Sequence, residues 1–351
     1  MNLPVLPRVR PMLGRLASAL PDGEWWFEPK WDGFRVVVFR DGEELALRSR
    51  ADKPLLRFFP ELRGPMLDAL PERCVVDGEI VLARGGALDF DALQSRLHPA
   101  KSRIDMLAET LPSRVILWDC LACGDADLRP LAFRARRAEL EGLLTVSERV
   151  ALTPGTLDSA LAADWFDRFE GAGLDGVMAK GLDDPYVENQ RGFIKVKHLR
   201  TIDCVIMGFR WYKRGVGVEV GSLVLGLFDE QGTLRPIGVC SAFSADRRVA
   251  LREELAPLRE AAPDPVGPDA ATAPASRWSA GRSLEWEPVR RERVVEVSTT
   301  QHSARRLRHP AKMIRFREDK PLEDCTLDQL SIVPAPMLSQ LFTPPGPQQP
   351  G

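Results

Sequence analysis

The sequence predicts an α+β domain followed by an all-β domain. Strand-like and helix-like segments alternate over residues 1–200, whereas short apolar strands separated by Gly-rich turns dominate after residue 201. A chain of 351 residues is long enough for about two domains. We therefore expect a mixed domain over residues 1–200, a small β-barrel over residues 201–330 and a Pro-rich, disordered tail over residues 331–351.

The elements of the first domain follow from apolar periodicity and turn residues. Asp-Gly turns punctuate three apolar segments, which favours a meander of antiparallel strands over residues 25–27, 33–39 and 45–49. Buried runs predict further strands over residues 74–82, 114–121, 176–180 and 193–197. Amphipathic periodicity predicts helices over residues 55–70, 90–97, 128–144 and 158–171.

The second domain has the pattern of a small barrel. Its strands are expected over residues 202–211, 221–228, 234–243 and 293–298. Residues 256–276 hold five prolines among Ala and Asp. This composition predicts a mobile insertion within the domain rather than a domain boundary.

Composition excludes several classes of protein. With 44% hydrophobic and 28% charged residues, the chain is an ordinary globular protein rather than a disordered or fibrous one. No apolar run approaches the ~18 residues of a membrane span, and the N-terminus shows no secretory signal. Six irregularly spaced cysteines predict neither a disulfide framework nor a zinc site. We therefore expect a cytoplasmic monomer without membrane association.

Charge favours nucleic-acid binding only locally. The net charge of −2 gives the whole chain no attraction to polyanions. Residues 290–320, however, hold ten Lys or Arg against four acidic residues. Such a run is more often a solvated face than a binding site, so on its own it favours DNA or RNA weakly.

One predicted turn carries the strongest chemical signal. Residues 28–35 read Glu-Pro-Lys-Trp-Asp-Gly-Phe-Arg, which places Lys30 two residues before Asp32. A Lys-x-Asp-Gly turn taken alone is most often an ordinary hairpin. Further segments rich in charged residues follow in a fixed order, at residues 47–50, 76–80, 117–119, 174–180, 191–197 and 317–320.

In this order and at these separations, the set resembles the nucleotidyltransferase motifs of ATP-dependent DNA ligases. Residues 309–330 look most like the compact bacterial ligases LigC and the ligase module of LigD. The resemblance implies an adenylation domain followed by an OB-fold, with ATP and Mg²⁺ or Mn²⁺ as cofactors. It also implies nicked or broken double-stranded DNA as substrate and a role in DNA repair, with repair proteins as partners.

The resemblance implies that Lys30 is the nucleophile that becomes joined to AMP, with Lys195 and Lys197 as further catalytic residues. A free lysine with a pKa of ~10.4 is protonated at pH 7, so we expect the charges of Lys195 and Lys197 to lower the pKa of Lys30. The same two lysines would neutralise phosphate oxygens. Contacts to ATP or AMP are implied for Glu28, Arg35, Arg50, Glu79, Trp118, Arg191 and Lys197.

By the same resemblance, Asp175 and Glu79 hold the metal ion, since hard carboxylate oxygens suit Mg²⁺ or Mn²⁺. Asp175 stands where the motif usually has Glu, one methylene longer, which leaves a water-bridged contact open. Arg317, Asp319 and Lys320 are implied to orient the pyrophosphate that leaves ATP. For this step the barrel would close over ATP and later reopen towards DNA.

Alternatives remain open at this point. An RNA ligase or an RNA capping enzyme shares the lysine chemistry, and a non-catalytic DNA-end-binding protein could retain the fold. Trp118 has a second reading as a core aromatic residue, and Asp119 as a brace for its strand. Glu28 and Asp77 have a second reading as turn residues.

Overall fold

The computed structural model separates the chain into two units. It describes residues 1–260, 286–299, 302–303, 306–331 and 338. The N-terminal unit comprises Met1–His198 with Val333–Gly351, and the C-terminal unit comprises Leu199–Ile332. Leu338 is buried in the N-terminal unit, and its backbone N–H donates to Gly86 O at 3.0 Å. The rest of the tail beyond residue 331 lies outside the described residues.

The N-terminal unit contains both strands and helices, as its periodicity predicts. Its strands are β1 Gly14–Ala17, β2 Trp25–Pro29, β3 Phe34–Asp41, β4 Glu44–Ser49, β5 Arg73–Val81, β6 Ala83–Arg84, β7 Ala87–Leu88, β8 Arg114–Cys123, β9 Ala126–Asp127, β10 Val150–Leu152, β11 Val177–Gly181 and β12 Phe193–Val196. Its α-helices are α1 Arg63–Ala69, α2 Phe90–Ser95, α3 Lys101–Thr110, α4 Phe133–Leu143 and α5 Ser159–Arg168.

Two larger sheets form the frame of this unit. One has the order β10-β8-β5-β3-β4, and the other has the order β1-β12-β11-β2. Strand β3 pairs antiparallel with both β4 and β5, and its central residues Val36 to Phe39 are buried on both faces. One face of the larger sheet packs with α1 and α4, and the other face packs with the N-terminal segment through Val5 and Met12.

The predicted meander is only partly present. The β3–β4 hairpin is confirmed, but β2 pairs with β11 in the other sheet. The turn between β2 and β3 brings the chain against β5, where a Cβ on Gly33 would lie 2.1 Å from Ile80 O. Gly33 is therefore required by this close approach rather than by a hairpin.

One helix prediction is wrong, and one helix was not predicted. The single helix expected over residues 55–70 is instead two 3₁₀ turns, Leu56–Phe58 and Pro60–Leu62, followed by α1. Pro60 explains the break, because its ring and missing N–H disfavour an α-helix interior. The helix α3 has only Ile104 and Leu107 buried, so its apolar pattern is too sparse to predict it.

The C-terminal unit is mostly β, as predicted. Its strands are β13 Arg200–Trp211, β14 Val220–Phe228, β15 Leu234–Cys240, β16 Glu287–Pro288, β17 Val294–Thr299, β18 His302–Ser303, β19 Arg306–Leu307 and β20 Lys312–Phe316. The main sheet has the order β15-β14-β13-β17-β20. It curls so that Cys240, at the end of β15, forms a bridge with Ala311, next to β20.

A helix that the sequence reading did not include, α6 Ala245–Leu255, packs on this sheet through Leu251 and Leu255. The first residues of the predicted mobile insertion are ordered parts of the unit, which corrects that prediction for residues 256–260. They form a 3₁₀ turn and a bridge between Arg259 and Val289. Residues 261–276 lie outside the described residues. No helix in the described part of the chain is long and apolar enough to cross a membrane.

Candidate active site

A cavity of about 440 Å³ lies in the N-terminal unit, lined by residues of both large sheets. It gathers most of the residues that the sequence motifs single out. Those lining it are Glu28, Lys30, Arg35, Arg50, Glu79, Trp118, Arg191, Lys195 and Lys197. Asp175 does not line the cavity but contacts two of its lysines.

The position of Lys30 is set by backbone pairing. Lys30 directly follows β2, and its backbone N–H donates to Gly176 O at 2.8 Å. The N–H of Asp175 donates to Lys30 O at 2.9 Å. Gly176 has a φ of +119°, and a Cβ there would lie 2.0 Å from Val196 O. Only glycine fits, and this turn fixes Asp175 next to Lys30.

One buried carboxylate holds two lysines. The Oδ2 atom of Asp175 lies 2.7 Å from Lys30 Nζ and 2.5 Å from Lys197 Nζ. The Asp175 side chain is 3% exposed, whereas Lys30 is 20% exposed and opens into the cavity. Lys30 therefore opens into the cavity, while the carboxylate that pairs with it is almost fully buried in the free protein.

The electrostatics of Lys30 correct the sequence prediction. Burial, the largest single influence, lowers the pKa of Lys30, but the charge and hydrogen bond of Asp175 together with the charges of Glu79 and Asp32 outweigh it, and the net pKa is raised. The predicted lowering of the Lys30 pKa by Lys195 and Lys197 is therefore wrong for the free protein. Burial and neighbouring lysines instead lower the pKa of Lys195 and of Lys197.

Arg35 is held rigidly in the cavity wall. Its Nε donates to Asp77 Oδ1 at 2.7 Å and its Nη2 to Asp77 Oδ2 at 2.5 Å. The hydroxyl of Tyr186 donates to the same carboxylate at 2.7 Å and accepts from the N–H of Met12. Asp77 is fully buried, so it is a support for Arg35 rather than a turn residue.

Glu28 belongs to a buried network at the edge of the cavity. Its Oε2 lies 2.6 Å from Lys180 Nζ, and its Oε1 accepts from Trp26 Nε1 at 3.0 Å and from Arg137 Nη1 at 3.2 Å. Both carboxylate oxygens are thus engaged by protein groups. Lys180, which the sequence analysis left without a role, also lines the cavity, and burial lowers its pKa. Its place at the end of the 174–180 segment is the signal that could have identified it.

Trp118 is largely buried, with 9% of its surface exposed, yet it lines the cavity. The Arg35 guanidinium lies 4.9 Å from its ring centroid, and Lys180 Nζ lies at 5.5 Å. The indole N–H has no hydrogen-bond partner among the described residues. The neighbouring Asp119 forms a fully buried ion pair with Arg136 at 2.8 Å, so its reading as a brace for the strand fits.

The carboxylates near Lys30 fit a divalent cation only together with a substrate. No group of three or more His, Cys, Asp or Glu side chains in the described chain could hold a metal ion. Mg²⁺ is commonly bound by one or two carboxylates plus substrate phosphates. Glu79 and Asp175 supply two such carboxylates, and both act electrostatically on Lys30. Burial raises the pKa of Glu79 to about 8.

The remaining predicted residues lie in the C-terminal unit. Arg317 Nη2 lies 2.9 Å from Asp319 Oδ2, and Arg317 Nη1 lies 3.1 Å from Asp203 Oδ2. Lys320 Nζ lies 3.2 Å from Asp324 Oδ2. The hydrogen bonds from Arg317 lower the pKa of Asp319 to about 2. Asp203, on β13, is a partner of Arg317 that the sequence analysis missed.

A mixed unit with a lysine in a cationic cavity, followed by a curled antiparallel sheet, defines a nucleotidyltransferase with a C-terminal OB-fold. The family model for the ATP dependent DNA ligase domain matches residues 11–197. The model for the ATP dependent DNA ligase C terminal region matches residues 217–320. The chain belongs to the ATP-dependent DNA ligase family, and its function is ATP-dependent DNA ligation.

Individual relatives agree with this assignment. The chain is 47% identical to DNA ligase C2 of Mycolicibacterium smegmatis, covering 95% of this chain and 97% of that protein. It is 44% identical to DNA ligase C of Mycobacterium tuberculosis, covering 94% and 96% respectively. A solved Lig E DNA ligase has the same fold, with a TM-score of 0.55 at 17% identity over 87% of this chain and 99% of that one.

Proposed function

We propose that Lys30 carries AMP as the covalent intermediate of ligation. The observation that supports this most is its placement, with the ammonium group exposed to a cavity and its backbone fixed on both sides. The Nζ atom would attack the α-phosphorus of ATP, forming a P–N bond as pyrophosphate leaves. A DNA 5′-phosphate would then take AMP from Lys30, and the adjacent 3′-hydroxyl would displace AMP and seal the strand.

Lys30 must lose a proton before it can attack. In the free protein, Asp175 stabilises the ammonium form, since its Oδ2 lies 2.7 Å from Lys30 Nζ. If Asp175 pairs with another cation instead, Lys30 loses that stabilisation. Burial then favours the neutral amine. We propose that Asp175 and Glu79 hold Mg²⁺ or Mn²⁺, which when bound would neutralise phosphate oxygens.

The cavity walls suit a nucleotide. Arg50, Arg191 and Lys195 form no ion pair with any described residue, so they are available for phosphate oxygens. We propose that Trp118 stacks on the adenine and that Glu79 contacts the ribose, with Arg35 beside them. The pairing of Glu28 with Lys180 and Arg137 favours a supporting role for Glu28 at the nucleotide.

We further propose that Arg317, Asp319 and Lys320 act in the first step, by orienting the β- and γ-phosphates of ATP. Asp203 and Asp319 hold the Arg317 guanidinium from two sides, and such preorganisation favours binding of phosphates.

The substrate we propose is nicked or broken duplex DNA met during repair, joined by a monomer in the cytoplasm, with repair proteins as partners. Membership of a DNA ligase family favours this substrate over the RNA alternatives.

The experiment that tests the proposal is intact-mass analysis after incubation with ATP and Mg²⁺ or Mn²⁺. The protein should gain the mass of one AMP, and peptide mapping should place it on Lys30. Lys30→Arg keeps the charge but cannot deprotonate, so it should gain nothing. An AMP adduct on Lys30→Arg would refute the assignment of the nucleophile, and no adduct on either protein would favour a non-catalytic DNA-end-binding role.

A further inference from the structure

A second cavity, of about 490 Å³, adjoins the first and shares Leu13 and Arg50 with it. Its other charged and polar lining comes from Arg8, Arg10, Asp52 and Asn189. We propose that this cavity binds a backbone phosphate of the DNA next to the nick. This inference rests on the proposed function, because it places DNA beside the cavity that contains Lys30.

The charge of this cavity is unbalanced. Arg8, Arg10 and Arg50 are exposed and form no ion pair with any described residue. The carboxylate in the lining, Asp52, is directed to Arg48, with Oδ1 3.9 Å from Arg48 Nε. The chain as a whole has a net charge of −2. An anion is therefore attracted to this face and not to the molecule in general.

The arginines are displayed by a segment that is anchored on both sides. Val5 and Met12 are each 2% exposed and pack on the larger sheet, while Arg8 and Arg10 lie between them on the surface. The N–H of Arg10 donates to Glu188 Oε2 at 2.9 Å, and Arg10 O accepts from the N–H of Asn189 at 3.1 Å. The guanidinium groups thus project from a fixed backbone.

The backbone around this cavity is unusual. Three of the four non-glycine residues with positive φ in the described chain line it: Arg8 at 99°, Asp52 at 57° and Asn189 at 58°. Asn and Asp tolerate this region, but Arg does so rarely. Residues held in such conformations cluster at binding sites, where the surrounding structure enforces them.

The ligand chemistry is that of a phosphate, and DNA is the better source than ATP. The first cavity already contains Arg191 and Lys195 as free cations for the ATP phosphates. The second cavity adds charges on an exposed segment, where an extended polyanion can reach both cavities through the shared Arg50. Arginine contacts to the DNA backbone position the duplex without reading its sequence.

The test uses Arg8→Gly, Arg10→Ala and the double variant, with Arg103→Ala as the control. Arg103 is an exposed arginine on α3 that lines neither cavity and forms no ion pair with a described residue. Glycine suits a φ of 99°, so Arg8→Gly should leave the melting temperature equal or higher while removing the guanidinium. This separates a binding role from a structural one.

Binding of a nicked duplex is measured over a range of salt concentrations, together with self-adenylation. The double variant should raise Kd about tenfold. It should also reduce the slope of log K against log salt by about one to two, while the control changes neither quantity. Self-adenylation, which needs no DNA, should be retained.

An unchanged Kd and salt slope in the folded double variant would overturn the inference. An equal loss of self-adenylation would also overturn it, because the cavity would then serve the ATP phosphates. Failure of the proposed function shows separately, as absence of an AMP adduct on the unaltered protein.

Discussion

At Lys30, two opposing influences act on one ammonium group. Burial favours the neutral amine, whereas the Asp175 carboxylate 2.7 Å away favours the cation and, with Glu79 and Asp32, outweighs burial in the free protein. Under the proposed function, a Lys30 kept protonated until its ligands arrive would not react with stray electrophiles. The account therefore makes Asp175 the residue that controls when Lys30 becomes reactive.

Asp175→Asn should lower the pKa of Lys30, because the strongest charge that raises it is removed. Glu79→Gln should lower it less, since Glu79 contributes less than Asp175. The measurement is an NMR titration of the Lys30 side chain with labelled lysine. A Lys30 pKa that stays unchanged in Asp175→Asn would contradict the account.

Glu79 should make stability depend on pH. Its folded-state pKa is raised from 4.5 to about 8 by burial, so the folded protein binds this proton more tightly than the unfolded chain. Stability from this group is complete below about 4.5 and is lost as the pH rises towards about 8. The Glu79→Gln variant has no carboxyl group to ionise at this position and does not lose this stability. The free energy of unfolding of the variant, minus that of the original protein, should therefore increase with pH between about 4.5 and about 8. Urea denaturation at several pH values gives the difference, and a constant difference would be inconsistent with the raised pKa.

At the scale of elements, the junctions between strands place the site. Gly33 lets the turn between β2 and β3 approach β5, and Gly176 lets the loop before β11 approach β12. The first approach places Gly33 against Glu79, and the second places Asp175 beside Lys30. The strands themselves supply the rigid frame.

Gly176→Ala should destabilise the protein by about 2 kcal/mol or more, since a Cβ would meet Val196 O and the backbone has positive φ. Gly142→Ala is the control, because a Cβ at this position within α4 meets nothing within 4 Å. That change should stabilise by about 0.5–1 kcal/mol. Chemical denaturation compares the two, and equal effects would show that the close approach is not formed.

The sequence predicts some of these features and not others, for physical reasons. Local patterns identify β3, β4 and β5, because continuous apolar runs and Asp-Gly turns are local signals. The partner of β2 is β11, distant in the sequence, and no local pattern encodes that choice. The motifs also identify most of the charged residues that line the cavity.

The ion pairs of the site could not be predicted. The contacts Lys30–Asp175, Arg35–Asp77 and Arg317–Asp203 each join distant segments, and they exist only once the sheets have formed. For this reason the motif order could not predict the direction of the Lys30 pKa shift. Lys180 was missed as a site residue because its role depends on burial against Glu28 and Trp118.

At the scale of the whole molecule, the two units have separate cores and separate sets of candidate functional residues. The lysines of the cavity belong to the N-terminal unit, and Arg317 with its partners belongs to the C-terminal unit. A division of this kind predicts that the steps of the reaction can be separated by substitution.

Arg317→Ala should reduce self-adenylation about a hundredfold or more, yet still seal a nick supplied with a 5′-adenylate. Asp203→Asn should show a smaller loss of the same step, because Asp319 still holds Arg317. Glu296→Gln is the matched control. It also removes a carboxylate charge near Arg317, but Glu296 lies 4.0 Å from Arg317, which is too far for a hydrogen bond. Single-turnover rates of both steps should be measured on variants of confirmed melting temperature, and equal loss of both steps in a folded variant would argue against the role.

The central claim is that AMP on Lys30 is an intermediate of strand joining. The most direct measurement is a chase of the isolated enzyme adenylate, freed of ATP, with a nicked duplex in the presence of Mg²⁺ or Mn²⁺. The account predicts that the adenylate is lost from Lys30 as a 5′-adenylated DNA strand appears and then becomes sealed, with one joined strand for each adenylated enzyme. An adenylate that stays on the protein while strand joining requires fresh ATP would contradict it.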